Sequence, residues 1–137
     1  MLESFFKPKS VAIIGASTEP GKLGYTVLAN VIESGFKGHI YPINPKATEI
    51  YGHKAYPSVL DTPEVPDLGV MVIPYQIVPG ALRECGERGV PAVVIITAGF
   101  RESGKEGVER EREVIEIAKE YGIRIIGPNV LGIIDTF

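Results

Sequence analysis

The stretch Val11-Ala12-Ile13-Ile14-Gly15 decides the fold, because it is a short apolar run that ends in glycine. Residues 68–74 and 92–97 have the same character and are rich in Val and Ile. None of these runs alternates apolar and polar residues, which is typical of strands buried on both faces of a parallel sheet. His39–Ile43 is a weaker strand. Because Pro42 cannot donate to a ladder, this strand is expected at an edge or end of the sheet.

Three segments between the strands carry apolar residues at helical spacing, and a glycine placed to end a helix follows each of them. They are residues 24–34, 79–88 and 106–121. In the third, one apolar face is expected to hold Val114, Ile115, Ala118 and Tyr121. Residues 123–126 and 132–135 complete the set of strands. The order β-α-β-(short α)-β-α-β-α-β-β predicts a three-layer, doubly wound Rossmann-like α/β fold, with a mainly parallel sheet and helices on both faces.

The composition fits one packed domain over residues 1–137, because 45% of the residues are apolar and 23% are charged. A net charge of −3 argues against nucleic-acid binding by bulk charge. No apolar run approaches the roughly 18 residues of a membrane span, and the N-terminus does not resemble a secretory signal. The single cysteine excludes an internal disulfide and a cysteine-only metal site, which favours a reduced, cytoplasmic compartment.

The segment after the first strand is the first candidate ligand site, since ligands of such sheets lie beyond the carboxyl ends of the strands. A glycine-rich turn before a helix presents N–H groups and a positive dipole end to phosphate. Ser17 and Thr18 could add hydroxyl donors, and Lys22 a charge. The pattern is neither G-x-G-x-x-G nor a P-loop, and a plain strand-to-helix loop is the alternative. The candidate residues are Gly15, Ala16, Ser17, Thr18, Pro20, Gly21, Lys22 and Gly24.

The segment after the second strand is Asn44-Pro45-Lys46, where an NAD site would carry an acid for the ribose diol. A lysine at this position instead suits a phosphate on the ribose. NADP and coenzyme A both carry such a phosphate. A solvated surface lysine is the alternative interpretation.

The later strand exits supply further candidates. Ile73 and Pro74 end one strand, and Tyr75 beside them either stacks on an adenine or caps the core. Ile96, Thr97 and Ala98 end another strand, before a polar stretch at 101–107 that is either a flap or an exposed loop. Asn129 either bonds a ligand or caps its turn. These last candidates are Ile73, Pro74, Ile96, Thr97, Ala98 and Asn129.

The sequence offers no catalytic or metal-binding set. His39 and His53 follow no motif and have no evident carboxylate partner along the chain, so each is expected to be structural or solvated. Cys85 falls on an apolar helical stripe, as a small buried residue would.

These motifs together resemble the CoA-binding domain of ADP-forming acyl-CoA synthetases, a family related to the succinyl-CoA synthetase alpha subunit. The resemblance covers essentially the whole chain in order. The matching segments are residues 9–17, 20–22 with Gly24, 41–46, 72–74, 78–79, 84–86 with Gly89, 95–100 and 127–129. The chain departs from many relatives at Val130, where they have cysteine.

The resemblance implies coenzyme A as the bound molecule and a role for each candidate. Residues 17–22 would hold the pyrophosphate, and Lys46 the ribose phosphate. Ile73-Pro74 and Ile96-Thr97-Ala98 would line the adenosine and pantetheine path, and Asn129 would lie near the thiol. The family converts acyl-CoA, ADP and phosphate to acid, CoA and ATP.

The phosphohistidine and ATP-grasp domains of that family are absent from these 137 residues. This chain is therefore expected to bind CoA or acyl-CoA without turnover, beside other domains or subunits of a synthetase. The exposed apolar surface where those domains would dock could also drive self-association into a homo-oligomer. The alternatives are a stand-alone CoA-binding module and an NAD(P)-sensing domain.

Overall fold

The computed structural model describes residues 7–96, 105–126 and 133–134. Its strands are β1 (Ser10–Ile14), β2 (His39–Ile43), β3 (Glu49–Ile50), β4 (His53–Lys54), β5 (Leu68–Met71), β6 (Ala92–Ile95), β7 (Arg124–Ile126) and β8 (Ile133–Ile134). Its helices are α1 (Leu23–Glu33), α2 (Val78–Arg88) and α3 (Lys105–Tyr121), with a 3-10 turn at Val59–Asp61.

The main sheet has the strand order β2-β1-β5-β6-β7-β8. All neighbours pair in parallel except β7 and β8, which are antiparallel. The chain winds outward from β1 to β2 and then returns to the other side of β1 at β5. The doubly wound, mainly parallel sheet is therefore confirmed, and its switch point lies between β1 and β5. The edge position of β2, expected from Pro42, is also confirmed.

Alternate residues of β1 bury into two separate cores. Val11 and Ile13 pack in one cluster with Leu28 of α1. Ala12 and Ile14 pack in the other cluster with Leu82 of α2, and α3 contributes to that same cluster. Helices therefore cover both faces of the sheet, as the apolar, non-alternating strands predict.

The buried face of α3 differs from the expected one at Ile115 and Ile117. Val114 and Ala118 are fully buried as expected, and Ile117 is buried with them, whereas Ile115 is half-buried. Tyr121 is half-buried and packs against the core. Helices α2 and α3 approach closely there, since a Cβ at Gly86 would lie 2.2 Å from the Tyr121 ring.

A two-stranded antiparallel hairpin, β3–β4, lies between β2 and β5 and was not predicted. Its strands have two residues each, too short for a periodicity signal. Its turn uses Tyr51 (φ +52°) and Gly52 (φ +78°). A tyrosine is unusual at a positive φ. Because the turn is Tyr51-Gly52, its sequence lacks the Asn-Gly or Asp-Gly pair that signals common hairpins. In the described part of the chain, no helix is both long and apolar enough to span a membrane.

Candidate functional site

Two glycines shape the turn between β1 and α1. Gly15 has a φ of +97°, and a Cβ there would lie 2.2 Å from the Val72 carbonyl oxygen. Its N–H donates to the Ile43 carbonyl oxygen at 3.1 Å. A Cβ at Gly24 would lie 2.0 Å from the Gly15 carbonyl oxygen. Both glycines are therefore needed for α1 to begin directly against the ends of β1 and β5.

The first turn of α1 is open to an anion. Lys22 is the N-cap residue but gives no side-chain cap, and the turn holds no acidic residue. The positive end of the helix dipole therefore has no compensating negative side chain within the first turn. Ser17 Oγ accepts the Glu19 N–H at 3.0 Å, which leaves its own hydrogen to donate elsewhere. Lys22 pairs with Glu19 only at 4.0 Å, and both side chains are more than 60% exposed, so this ion pair is weak.

Asn44 ties the exit of β2 to the same turn. Its Nδ2 donates to the Ala16 carbonyl oxygen at 2.9 Å. Its Oδ1 accepts the backbone N–H groups of Lys46 at 2.8 Å and Ala47 at 2.9 Å. Asn44 thus positions the two candidate segments relative to each other, and it holds the backbone from which the exposed Lys46 side chain extends.

A cavity of about 420 Å³ opens between the ends of β1 and β2 and the first half of α2. Its lining is mostly apolar. On the sheet side it is formed by Ile14, Gly15, Ile43, Pro45, Pro57 and Ile73, and on the α2 side by Gln76, Ile77, Gly80, Ala81 and Glu84.

A second cavity, of about 380 Å³, lies beside the start of α1. It is lined by Leu23, Val72, Ile73, Pro74, Tyr75, Gln76 and Ile96. The two cavities share Ile73 and Gln76, and we call them together the crevice. Leu23, the first residue of α1, lines the smaller cavity, and Gly15, in the turn before the helix, lines the larger one.

The crevice brings together five of the candidates, which are Gly15, Pro45, Ile73, Pro74 and Ile96. The other candidates in the described part of the chain do not line it, and these are Ala16, Ser17, Thr18, Pro20, Gly21, Lys22, Gly24, Asn44 and Lys46. Sequence reasoning missed the lining residues from α1, from α2 and from the two positions before α2, which are Leu23, Gln76, Ile77, Gly80, Ala81 and Glu84. The exposed fractions of Leu23 and Ile77, both 54%, mark them as apolar side chains outside the core. Thr97, Ala98, Val130 and Asn129 lie outside the described residues.

Tyr75 packs against the core, and its ring carries the Arg110 guanidinium carbon 3.9 Å from the ring centroid. This cation–π contact occupies one face of the ring. Tyr75 thus packs against the core and also lines the smaller cavity.

Cys85 is fully buried, and burial raises the pKa of its thiol to about 12. A thiol in this state is not a nucleophile at neutral pH. The structural interpretation of Cys85 is therefore supported.

His39 has the carboxylate partner that the sequence did not reveal. The Glu64 carboxylate contacts His39 Nδ1 and accepts the Tyr41 hydroxyl. These hydrogen bonds lower the pKa of the Glu64 carboxyl, and the hydrogen bond from Tyr41 has the largest effect. His39 opens β2, so this cluster lies at the amino end of the strand, opposite the crevice. Within the described ranges, no group of three or more His, Cys, Asp or Glu residues could hold a metal ion.

Comparison with known proteins gives one matching family and several close relatives. The family model described as a CoA binding domain matches residues 9–136. An ADP-forming acetate–CoA ligase I subunit alpha from Pyrococcus furiosus is 49% identical over 98% of this chain. An ADP-forming acetate–CoA ligase from Methanocaldococcus jannaschii is 57% identical over 94% of it. The chain spans 30% of the first relative and 18% of the second.

A solved structure has the same architecture. The apo acetyl-coenzyme A synthetase 1 of Ca. Korarchaeum cryptofilum superposes with a TM-score of 0.91 at 44% identity. The match covers 94% of this chain and 28% of that protein.

Proposed function

This chain belongs to the CoA-binding domain family, and from that premise we propose that it holds coenzyme A along the crevice at the carboxyl ends of β1, β2 and β5. The observation that carries the proposal is the uncapped start of α1, which lines the smaller cavity next to a turn that lines the larger one. Coenzyme A has its pyrophosphate between an adenosine and a pantetheine arm. An anion site flanked by two mostly apolar spaces matches that order of groups.

The adenosine end belongs in the larger cavity. Pro45 lines this cavity, and the exposed Lys46 follows it directly. A ribose phosphate within reach of Lys46 keeps the attached adenosine close to Pro45. The pyrophosphate then meets the N–H groups of α1 and Lys22, and the pantetheine arm runs past Leu23 and Ile96.

The reaction itself would take place in a larger assembly. Among the described residues the crevice holds no histidine, and Cys85 is buried in the core. We propose that residues 1–137 form a single domain that delivers CoA or acyl-CoA to the remaining domains or subunits of an ADP-forming acyl-CoA synthetase. Those parts would exchange the acyl group with ADP and phosphate.

Calorimetric titration of the purified chain tests the proposal with four ligands: CoA, dephospho-CoA, NADP and NAD. CoA should bind most tightly, and dephospho-CoA more weakly because it lacks the phosphate that Lys46 contacts. NAD should bind weakly, since no acid follows β2 to hold its ribose diol. Binding of NAD without binding of CoA would contradict the proposed function.

A further inference from the structure

The larger cavity contains one acidic side chain among mostly apolar walls. Glu84 of α2 lines it opposite Ile14, Ile43 and Pro45, and its side chain is half-buried. Among the described lining residues, Gln76 is the other with a polar side chain, and it is exposed. A carboxylate here has only acceptor oxygens to offer a ligand.

Ser58 holds this carboxylate in place. The Ser58 hydroxyl donates to Glu84 Oε1 at 2.6 Å. The same hydroxyl oxygen accepts the Leu60 N–H at 3.1 Å, where it caps the 3-10 turn. The Ser58 hydroxyl is thus fixed from both sides. One carboxylate oxygen of Glu84 is engaged, and the other keeps its lone pairs for a further donor.

The charge of Glu84 selects what enters the cavity. A carboxylate repels phosphate, so the phosphates of the ligand are directed outward to Lys22, Lys46 and the start of α1. The group that enters should carry no negative charge, have largely apolar faces and be able to donate a hydrogen bond. The neighbouring Pro45 and Lys46 assign this cavity to the adenosine end of coenzyme A. The adenine base meets all three requirements, and its 6-amino group is the donor.

We infer that Glu84 accepts a hydrogen bond from the adenine 6-amino group and thereby sets the base specificity of the site. This inference rests on the proposed coenzyme A site. It makes Glu84 a specificity-determining residue and Ser58 a positioning residue.

The test compares CoA with its inosine analogue, in which an oxo group replaces the 6-amino group. The wild-type chain should bind CoA at least about tenfold more tightly, as expected for a hydrogen bond to a charged group. Glu84→Ala should bind CoA about tenfold more weakly and should no longer distinguish the two ligands. Glu84→Gln keeps the volume and adds an amide donor for the oxo group, so it should shift the preference toward the inosine analogue. Ser58→Ala should lower the preference only in part.

Glu87→Ala is the matched control, because Glu87 lies exposed on the same helix and does not line the cavity. It should leave both affinities unchanged. Equal affinity of the wild-type chain for CoA and the inosine analogue would overturn the inference without any variant. An unchanged preference in Glu84→Gln would also overturn it while leaving the coenzyme A site intact. Failure of the wild-type chain to bind CoA at all would instead overturn the proposed function.

Discussion

The backbone at Gly24 lies so close to Gly15 that a Cβ on Gly24 would stand 2.0 Å from the Gly15 carbonyl oxygen. The first turn of α1 is thus seated directly on the turn that ends β1. This contact seats the helix start beside the smaller cavity, which Leu23 lines, and next to Gly15, which lines the larger one. Packing between two glycines therefore builds the anion site that we assign to the pyrophosphate.

Replacing Gly24 by alanine should separate α1 from β1. The added methyl meets backbone atoms that cannot rotate away, so the free energy of unfolding should fall by about 3 kcal/mol, and CoA affinity should fall with it. Gly21→Ala is the control for folding, because nothing lies within 4 Å of a Cβ there. Chemical denaturation measures both variants. A Gly24→Ala chain as stable as wild type would contradict this account of the turn.

Lys46→Ala should weaken CoA binding by about 1–3 kcal/mol, the range of a charge-assisted hydrogen bond, and the loss should grow at low salt. The variant should bind dephospho-CoA as wild type does, because that ligand lacks the ribose phosphate. Lys37→Ala is the control, since this exposed lysine precedes β2 at the amino end of the strand, away from the crevice. An equal loss of affinity for CoA and dephospho-CoA would show that Lys46 does not contact the ribose phosphate. Calorimetry gives both affinities.

Lys22→Ala should also weaken CoA binding by about 1–3 kcal/mol, but for a different reason. Lys22 contributes at the pyrophosphate, which CoA and dephospho-CoA share. The variant should therefore lose the same amount with both ligands. Unchanged affinity would show that Lys22 is a solvated residue and that the helix N–H groups act without it.

The Glu64 cluster should contribute stability above the ordinary pKa of glutamate and lose it in acid. Hydrogen bonds from Tyr41 and His39 lower the pKa of Glu64 from 4.5, so the folded state gives up the proton more readily than the unfolded chain. The contribution is therefore present above about pH 4.5 and lost as the pH falls through the lowered value. Glu64→Gln should unfold with a flatter acid dependence than wild type. Glu87→Gln, at an exposed glutamate, should keep the wild-type profile, and urea unfolding across this pH range compares them.

Cys85 should resist thiol reagents while the chain is folded. Burial raises the pKa of its thiol to about 12, so the thiolate that reacts is nearly absent at about pH 8. A disulfide reagent should modify the thiol only after unfolding in concentrated guanidinium. Rapid modification of the folded chain would contradict the packing of α2 described here.

Much of the fold was predictable because the central strands β1, β5 and β6 are apolar almost throughout and each helix is followed by glycine. The edge position of β2 followed from Pro42 alone. The β3–β4 hairpin was not predictable, since two-residue strands carry no period and its turn places a tyrosine at positive φ. The full burial of Ile117 on α3 was also missed.

The site was predictable where it follows the ends of strands. Gly15, Lys46 and Pro74 stand directly after apolar runs, and parallel topology gathers such residues at one edge. The contribution of α2 was not predictable. Ile77 and Glu84 line the larger cavity together with Ile14 and Ile43 from the ends of β1 and β2. This proximity depends on how the helix packs on the sheet, which the sequence does not show. Asn44 was expected to contact a ligand, and the structure adds the hydrogen bonds by which it joins two loops.

The most direct test of the central claim is a titration of the isotopically labelled chain with CoA, followed by amide NMR. Saturable shifts should appear at the residues from Gly15 to Gly24, at Asn44 to Ala47, and at Ile73 to Ile77. The amides of Lys37 and His39, at the amino end of β2, should stay in place. Absence of saturable shifts, or shifts confined to the amino end of the sheet, would contradict a coenzyme A site at this crevice.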